Sequence, residues 1–158
     1  MSKAIKSLIV VVSIIFAGCS RDVLEMSSES MIPTLPPGAQ LVIQNRMPTP
    51  ISLMDVIAFT DSDSGHVFVM RVIGLPGDRV RFRNTGVYRN GILVDFSNLR
   101  LSYRFSMKPN YIYAVEQEYL VPSDHYFVVG DNFDVANDSR SIGPVASHAV
   151  LGVVRRIK

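Results

Sequence analysis

The amino-acid sequence predicts a mostly β protein whose antiparallel strands form a barrel-like or two-sheet architecture. Helical periodicity is weak along the whole chain. Short runs rich in Val, Ile, Phe and Tyr dominate it instead, and Gly, Pro, Asn and Asp bound these runs. The predicted strands are residues 40–44, 55–60, 67–73, 79–83, 87–89, 92–94, 111–115, 119–121, 126–129 and 149–155.

Several segments between these runs carry turn signals. Asn90-Gly91 separates two of the runs by two residues, which is the spacing of a tight β-hairpin. Pro36-Pro37-Gly38 and Leu75-Pro76-Gly77-Asp78 predict turns, because Pro fixes φ and Gly accepts a positive φ. Residues 146–149 predict one short helical turn.

Length and composition bound the class of protein. A chain of 158 residues is long enough for one domain with a core, and 47% hydrophobic against 19% charged residues is typical of an ordered globule. The net charge of +2 is small and scattered, so nucleic acid is not an expected partner. Cys19 is the only cysteine, so no intrachain disulfide can form. No cofactor and no metal ion is expected.

Residues 1–19 are predicted to be a targeting segment, which leaves residues 20–158 as a single domain. Lys3 and Lys6 precede a short apolar run that leads into Ala17-Gly18-Cys19. A helix over residues 8–18 would span about 16 Å, well short of a hydrocarbon core of about 30 Å. This length favours a lipoprotein signal, in which Cys19 becomes the lipidated first residue, over an uncleaved anchor. Both alternatives tether the domain to a membrane on its non-cytoplasmic (periplasmic or extracellular) side.

Three motifs follow in order along the rest of the chain. They are Ser28-Glu29-Ser30-Met31-Ile32-Pro33-Thr34-Leu35, Arg71-Val72-Ile73-Gly74-Leu75-Pro76-Gly77-Asp78, and a third that runs from Gly130-Asp131-Asn132 to Asp138-Ser139-Arg140. Together they resemble the type I signal peptidase family of membrane-bound serine endopeptidases, over roughly residues 28–157. The resemblance implies that family's fold and a site built on a serine nucleophile and a lysine base.

The resemblance gives Ser30 the position of the nucleophile and Ser28 the position of a hydroxyl in the oxyanion hole. A serine hydroxyl is a poor nucleophile until a base takes its proton, and one oxyanion donor can change the rate by about 10²–10³. Four residues of the third motif are expected to support the site structurally: Asp131, Asn132, Asp138 and Arg140.

Two departures from the family pattern concern the lysine base and the serine that hydrogen-bonds it. The family's lysine base directly precedes the second motif, and this chain has Met70 there. The family's third motif carries a serine that hydrogen-bonds this lysine, and this chain has Ala136 there, with Phe133 in place of a usual arginine. Met70 has no group that titrates, and a hydroxyl left without its lysine would be an unsatisfied polar group. The paired loss predicts a site without Ser/Lys catalysis.

Other residues are poorly placed to replace the base. None of the four lysines is expected near the motifs: Lys3, Lys6, Lys108 and Lys158. His66 lies four residues before the base position, about 13 Å along a strand. His125 is expected to have no catalytic role, and His148 is expected to be exposed. Asp138 is the first alternative to consider, although its expected role is an ion pair or a loop hydrogen bond.

Residues 96–118 are the least patterned part of the chain and lie between the second and third motifs. The resembled family has a variable insertion at this place. A small β-ribbon that is dispensable for the core is therefore expected.

Several functional interpretations remain open from the sequence. One is an active membrane-tethered endopeptidase with an unusual base, which cleaves signal peptides or pilin-type precursors after small residues. A second is a catalytically impaired relative that keeps a groove for extended peptide segments of exported proteins and serves an export or pilus-assembly partner. A short peptidase of the conjugation or pilin-maturation type would also need the lysine. Repressor-cleaving relatives are disfavoured by the membrane signal and the absent DNA-binding domain.

Lipidation of Cys19 is directly testable. Metabolic labelling with a fatty acid should mark the wild-type protein, and Cys19→Ala should abolish the label because no other thiol is present. An unlabelled wild-type protein with an intact N-terminus would indicate an uncleaved anchor instead.

Overall fold

The computed structural model describes residues 23–44, 50–62, 64–99 and 117–156. The predicted targeting segment and the predicted strand 111–115 lie outside these ranges. The strands are β1 (Val23–Glu25), β2 (Gln40–Gln44), β3 (Val56–Thr60), β4 (Val67–Gly74), β5 (Arg79–Arg83), β6 (Gly86–Arg89), β7 (Ile92–Leu93), β8 (Glu118–Leu120), β9 (His125–Val129), β10 (Val145–Ala146) and β11 (Val150–Arg156). The helix α1 spans Ser139–Ile142, and single 3-10 turns span Ser97–Leu99 and Ser147–Ala149.

The described strands form two antiparallel sheets. The larger sheet has the order β1-β2-β11-β3-β4-β9-β10, and the smaller sheet has the order β7-β6-β5-β8. Neighbouring strands in both sheets pair antiparallel throughout. The mostly β prediction is therefore confirmed.

The larger sheet curls around one of its own faces. Met31 is fully buried in a cluster that includes Leu24 of β1, Leu41 of β2, Val69 of β4 and Val154 of β11. A flat sheet could not bring these separated strands around one side chain. Full burial of a side chain of this size contributes about 1.5–3 kcal/mol, so the cluster fixes the segment that carries Met31 inside the curl.

Two further clusters complete the core. One joins the smaller sheet to the larger one, and it includes Val80, Phe82, Val87 and Phe127. The other covers the opposite face of the larger sheet, and it includes Ile57, Phe59, Met70, Val72, Val128 and Val145. Met70 therefore lies in an apolar layer between strands.

The Asn90-Gly91 hairpin is confirmed. Arg89 of β6 lies opposite Ile92 of β7, so only these two residues form the turn. Asn90 has φ 50° and Gly91 has φ 81°. Positive φ at both central residues is the requirement of a type I′ turn, whose twist matches that of the flanking strands.

The ends of the predicted insertion are part of the fold. Phe96 is buried, and its ring packs edge-on against Phe133 with centroids 5.8 Å apart. Glu118 lies in β8 and pairs with Arg79 and Arg81 of β5. Residues 100–116 lie outside the described ranges, so a dispensable ribbon stays a prediction for the middle of the segment.

Asp78 ties the turn after β4 to the hairpin. Its carboxylate accepts the backbone N–H of Leu75 at 2.8 Å and Nδ2 of Asn90 at 2.8 Å. It also accepts Nε and Nη2 of Arg89, at 2.5 and 3.0 Å. Burial of the carboxyl raises its pKa, but the hydrogen bonds from Arg89, Leu75 and Asn90 outweigh burial, and the pKa lies below its ordinary value of 3.8.

Replacing Asp78 with Asn should destabilise the protein in a pH-dependent way. At pH 7 the free energy of unfolding should fall by about 1–3 kcal/mol, because the buried donors lose a charged acceptor. A lowered pKa in the folded state contributes stability above the unfolded pKa, and this contribution is lost as the pH falls through the folded value. Thermal melts of wild type and Asp78→Asn should therefore begin to converge near about pH 4 and should coincide only below the folded pKa of Asp78. A constant difference from pH 7 to pH 3 would contradict this role.

Candidate active site

Ser30 lies in a short turn whose position depends on the residue that follows it. Met31 is 0% exposed, and its carbonyl accepts the backbone N–H of Leu35 at 2.9 Å. Leu35 is buried in the same cluster. These two apolar side chains hold the turn against the curled sheet and leave Ser30 half-buried at its surface.

The two serines of the first motif face each other. The Oγ atoms of Ser28 and Ser30 lie 2.9 Å apart, which is hydrogen-bonding distance. One hydroxyl therefore donates to the other. The roles of nucleophile and oxyanion-hole hydroxyl stay predictions for these two serines.

Asn132 of the third motif donates hydrogen bonds to the backbone carbonyl groups of the Ser30 turn. The N–H of Asn132 donates to the carbonyl of Ser30 at 2.9 Å, and Nδ2 of Asn132 donates to the carbonyl of Glu29 at 3.1 Å. A Cβ on Gly130 would overlap both the Ser30 carbonyl oxygen and the Ala136 methyl group. Gly130 is therefore required by the close approach of two backbones, a role that the sequence analysis did not assign.

Register places Met70 beside this contact. β4 pairs with β9 so that Arg71 lies opposite Val129 and Val72 opposite Val128. Continuing that register by one residue sets Met70 opposite Gly130. Opposed residues on paired strands point to the same face, so Met70 shares the face on which Gly130 meets Ala136 and Ser30. Ala136 therefore lies at the contact between Gly130 and Ser30, and Met70 directly precedes the β4 residue that pairs with the end of β9.

Both departures from the family pattern are buried and apolar. Met70 is 1% exposed and packs with Ile57, which lies opposite it on β3. Ala136 is also 1% exposed. A thioether and a methyl group can neither accept nor donate a proton at neutral pH. Neither position can therefore activate the Ser30 hydroxyl.

Arg71 and Asp131 form a buried ion pair beneath the site. Arg71 donates Nε and Nη2 to the two carboxylate oxygens of Asp131, at 2.7 and 2.6 Å, and Nη1 to the carbonyl of Met54 at 2.8 Å. The Thr34 hydroxyl donates to the same carboxylate. The sequence analysis gave no role to Arg71 or Thr34. A charged residue inside an otherwise apolar strand was the available signal, since a buried charge requires a partner.

Asp138 and Arg140 form the second buried ion pair. Asp138 accepts Nε and Nη2 of Arg140 at 2.8 and 2.7 Å, the N–H of Arg140 at 3.1 Å and the N–H of Gly130 at 3.0 Å. Asp138 also caps the N-terminus of α1. Because four N–H groups already occupy its two oxygens, Asp138 is a structural support and a poor candidate for the base.

Phe133 is a core residue rather than a site residue. It is 3% exposed, and its carbonyl accepts Nη2 of Arg140 at 2.9 Å. The guanidinium of Arg140 also lies 5.1 Å from the centroid of the Phe133 ring, within cation–π range. The replacement of the family's arginine at this position therefore extends the apolar core toward the third motif.

The three histidines considered as alternative bases lie in β9 and in segments outside the three motifs. His66 lies between Gly65 and β4, where its carbonyl accepts the N–H of Asp61 at 2.9 Å. His125 begins β9 and pairs with Ala146 on β10, and His148 is exposed in a 3-10 turn. Cys19, Lys108 and Lys158 lie outside the described residues. Among the described residues, no three His, Cys, Asp or Glu side chains are grouped closely enough to hold a metal ion.

Comparison with known proteins identifies the family of this chain. A sequence model of the family described as "Signal peptidase, peptidase S26" matches residues 1–157. The chain is 33% identical to signal peptidase I V of Bacillus subtilis (strain 168) over 138 residues, which cover 79% of this chain and 78% of that protein. It is 35% identical to signal peptidase I of Bacillus caldolyticus over 138 residues, which cover 82% and 74%. It is 30% identical to signal peptidase IB of Staphylococcus aureus over 143 residues, which cover 82% and 73%.

A solved structure gives the same result for the fold. The crystal structure of a signal peptidase I from Enterococcus faecalis V583 superposes with a TM-score of 0.51 and 31% sequence identity, covering 68% of this chain and 98% of that one. The fold and the sequence relatives are those of signal peptidase I, which is a class of serine endopeptidases. This chain belongs to the signal peptidase family, peptidase S26.

Within residues 23–44, 50–62, 64–99 and 117–156, no helix is long and apolar enough to cross a membrane. The predicted targeting segment precedes these ranges, so the tether of the domain stays a prediction.

Proposed function

We propose that this chain is a membrane-tethered signal peptidase relative that binds extended segments of exported proteins but does not cleave them by the Ser/Lys mechanism. The observation that supports binding is a strand edge beside Ser30 that has no partner among the described residues. The observation that supports the loss of cleavage is the apolar character of Met70 and Ala136 at the same place.

The open edge lies on the first half of β4. Residues Val67 to Arg71 pair with β3 on one side, whereas β9 pairs with β4 only from Arg71 onward on the other side. Val67 to Met70 therefore have no described partner strand on the β9 side. The edge ends at Met70, opposite Gly130 and next to the Ser30 turn. An extended peptide added to this edge would pass directly by the Ser30 hydroxyl.

Strand addition gives such a site its affinity and its choice of ligand. Backbone hydrogen bonds to an open edge bind any extended peptide, and side chains at alternate positions of that peptide determine which sequences fit. Val67 and Phe68 are half-buried, whereas Val69 and Met70 are buried, so the backbone groups that a peptide can reach on this edge are those of Val67 and Phe68. The interaction is short, which fits recognition of a brief segment within a longer chain.

The proposed loss of catalysis follows from proton transfer. The recorded side-chain hydrogen bond of the Ser30 hydroxyl is to the Ser28 hydroxyl, which has no appreciable basicity at neutral pH. A general base typically contributes about 10²–10⁴ in rate, so a site without one should cleave near the background rate. Peptide binding does not require the base and can persist.

The tether and the partners complete the proposal. A lipid-modified Cys19, or an uncleaved anchor in residues 1–19, would hold the domain against the outer face of the membrane, where exported precursors emerge. Extended peptide segments of these precursors are the proposed ligands. Export or pilus-assembly proteins are the proposed partners.

An active endopeptidase with an unusual base is the alternative. The intact contact between Ser28 and Ser30 favours it, because an abandoned site has no need of two facing hydroxyls. Asp138 and His66 are the bases to examine first under this alternative, although Asp138 is fully hydrogen-bonded.

Restoring the missing pair tests the proposal. Wild type, Ser30→Ala, Met70→Lys and Met70→Lys/Ala136→Ser should be compared as full chains in detergent against a precursor with an Ala-x-Ala site. Wild type should match Ser30→Ala. The double variant should exceed both by about 10² or more, and should exceed Met70→Lys alone, because the buried amine loses its proton readily and the hydroxyl orients it. Robust wild-type cleavage that disappears in Ser30→Ala would overturn the proposal in favour of the alternative.

Photocrosslinking tests peptide binding without relying on cleavage. A photoreactive amino acid at Val67, on the open edge of β4, should capture a labelled precursor peptide in the wild-type background. The matched control is Val153, which is also half-buried but lies in β11 with β2 paired on one side and β3 on the other. Equal capture at both positions, or none at Val67, would contradict a groove along β4.

A further inference from the structure

The outer face of the smaller sheet carries a row of arginines along β5. Burial alternates along this strand, and Val80 and Phe82 lie in the core that joins the two sheets. Arg79, Arg81 and Arg83 therefore lie on the opposite face, which points away from that core. Residues at alternate positions of a strand are about 7 Å apart, so the three side chains form one basic row.

A single glutamate partly neutralises this row. Glu118 of β8 lies opposite Arg81, and its two oxygens contact Arg79 Nη1 and Arg81 Nη2, both at 3.2 Å. These contacts are longer than the roughly 2.7–2.9 Å that is typical of charge-assisted hydrogen bonds. The three side chains are also between 31% and 57% exposed, and exposed ion pairs are weak. Glu118 is therefore a displaceable partner for Arg81.

Arg81 differs from three other arginines in the use of its Nε atom. Nε of Arg71, Arg89 and Arg140 donates to an aspartate at 2.7, 2.5 and 2.8 Å, respectively. Nε of Arg81 is buried, but it has no hydrogen-bond partner in the part of the chain that the structure describes. A buried donor without an acceptor is costly, so a ligand that supplies the acceptor would be stabilised there.

Arg81 lines a cavity of about 160 Å³, together with Arg83, Tyr88, Gly91 and Glu118. This volume is more than ten times the roughly 10–15 Å³ that a water molecule needs, so a larger group can enter. The guanidinium of Arg83 lies 5.0 Å from the centroid of the Tyr88 ring, and this cation–π contact holds it at the wall. Because two arginines face one glutamate, the cavity favours an anion.

We propose that this cavity binds a phosphate group, which belongs either to a phosphorylated solute or to an anionic lipid headgroup. A guanidinium is a planar fork of donors that matches phosphate oxygens, and a phosphate offers more acceptor oxygens than a carboxylate. The phosphate accepts Nε of Arg81 and displaces Glu118 from its long contact with the same side chain. The inference is independent of the peptide-binding function, because the cavity shares no residue with the Ser30 turn or with the open edge of β4.

Phosphorus NMR of inorganic phosphate, mixed with the full chain in detergent at constant ionic strength, tests the site. The wild type should bind phosphate saturably. Arg81→Gln should raise the dissociation constant at least about tenfold, because it removes both the charge and the Nε donor. Arg81→Lys should also weaken binding, since an ammonium keeps the charge but has no planar fork. Arg155→Gln is the matched control, because it removes the same charge from β11 of the larger sheet, and it should bind like the wild type.

Glu118→Gln should change the affinity in the opposite direction. It removes the carboxylate that competes for Arg81, so the dissociation constant for inorganic phosphate should fall by about threefold or more. Inorganic phosphate should also raise the melting temperature of the wild type but not that of Arg81→Gln, because a ligand stabilises only the state that binds it. The same melts check that each variant is folded.

Reconstitution separates the two sources of the phosphate group. The full chain is placed in phosphatidylcholine vesicles that contain either phosphatidic acid or an equal charge of oleate, and binding of inorganic phosphate is measured again. Weaker binding with phosphatidic acid than with oleate would identify a lipid headgroup as the occupant. Equal binding in both vesicles would identify a phosphorylated solute.

Several outcomes would overturn the inference. One is a wild type that binds no phosphate saturably, or an Arg81→Gln variant that binds it equally well. A loss in Arg155→Gln as large as that in Arg81→Gln would show that net charge alone attracts phosphate. Full affinity in Arg81→Lys, or weaker binding in Glu118→Gln, would contradict a site built on the Nε atom of Arg81.

Discussion

The close approach of two backbones at Gly130 is the constraint on which the site depends. Asn132 and Gly130 hold the Ser30 turn against the end of β9, and no side chain fits between them. Because β9 also pairs with β4, this contact fixes the position of the Ser30 turn relative to the larger sheet.

Two buried ion pairs maintain that contact. Arg71–Asp131 and Asp138–Arg140 both include residues of the third motif, and each charge is satisfied by several hydrogen bonds. Such pairs add little net stability, because burial of the charges offsets their attraction, but loss of one partner typically costs about 3–5 kcal/mol. Their effect is therefore positional: they permit one arrangement of the third motif and penalise the others.

The same arrangement explains why Met70 and Ala136 belong together. Both side chains are buried, and each residue is only 1% exposed. A lysine there without a hydroxyl partner, or a hydroxyl without a lysine, would leave a buried polar group unsatisfied at a cost of about 1–3 kcal/mol. Replacement of both gives a packed apolar layer. The supports of the site are unaffected, since none of their hydrogen bonds involves either side chain, so a peptide-binding edge can persist after the base is lost.

Local sequence was enough to predict strands β2 to β9 and β11 and the Asn90 hairpin, because side-chain alternation and turn chemistry act over a few residues. It did not predict β1, β10 or α1, which are two to four residues long and depend on neighbours or on a cap. Only the tertiary structure decided what lies around Ser30. The partnership of Arg71 with Asp131 joins residues 60 positions apart, and the need for glycine at position 130 arises from a backbone 100 positions away in the chain. Such requirements exist only after the sheet has curled, so no local pattern of residues records them.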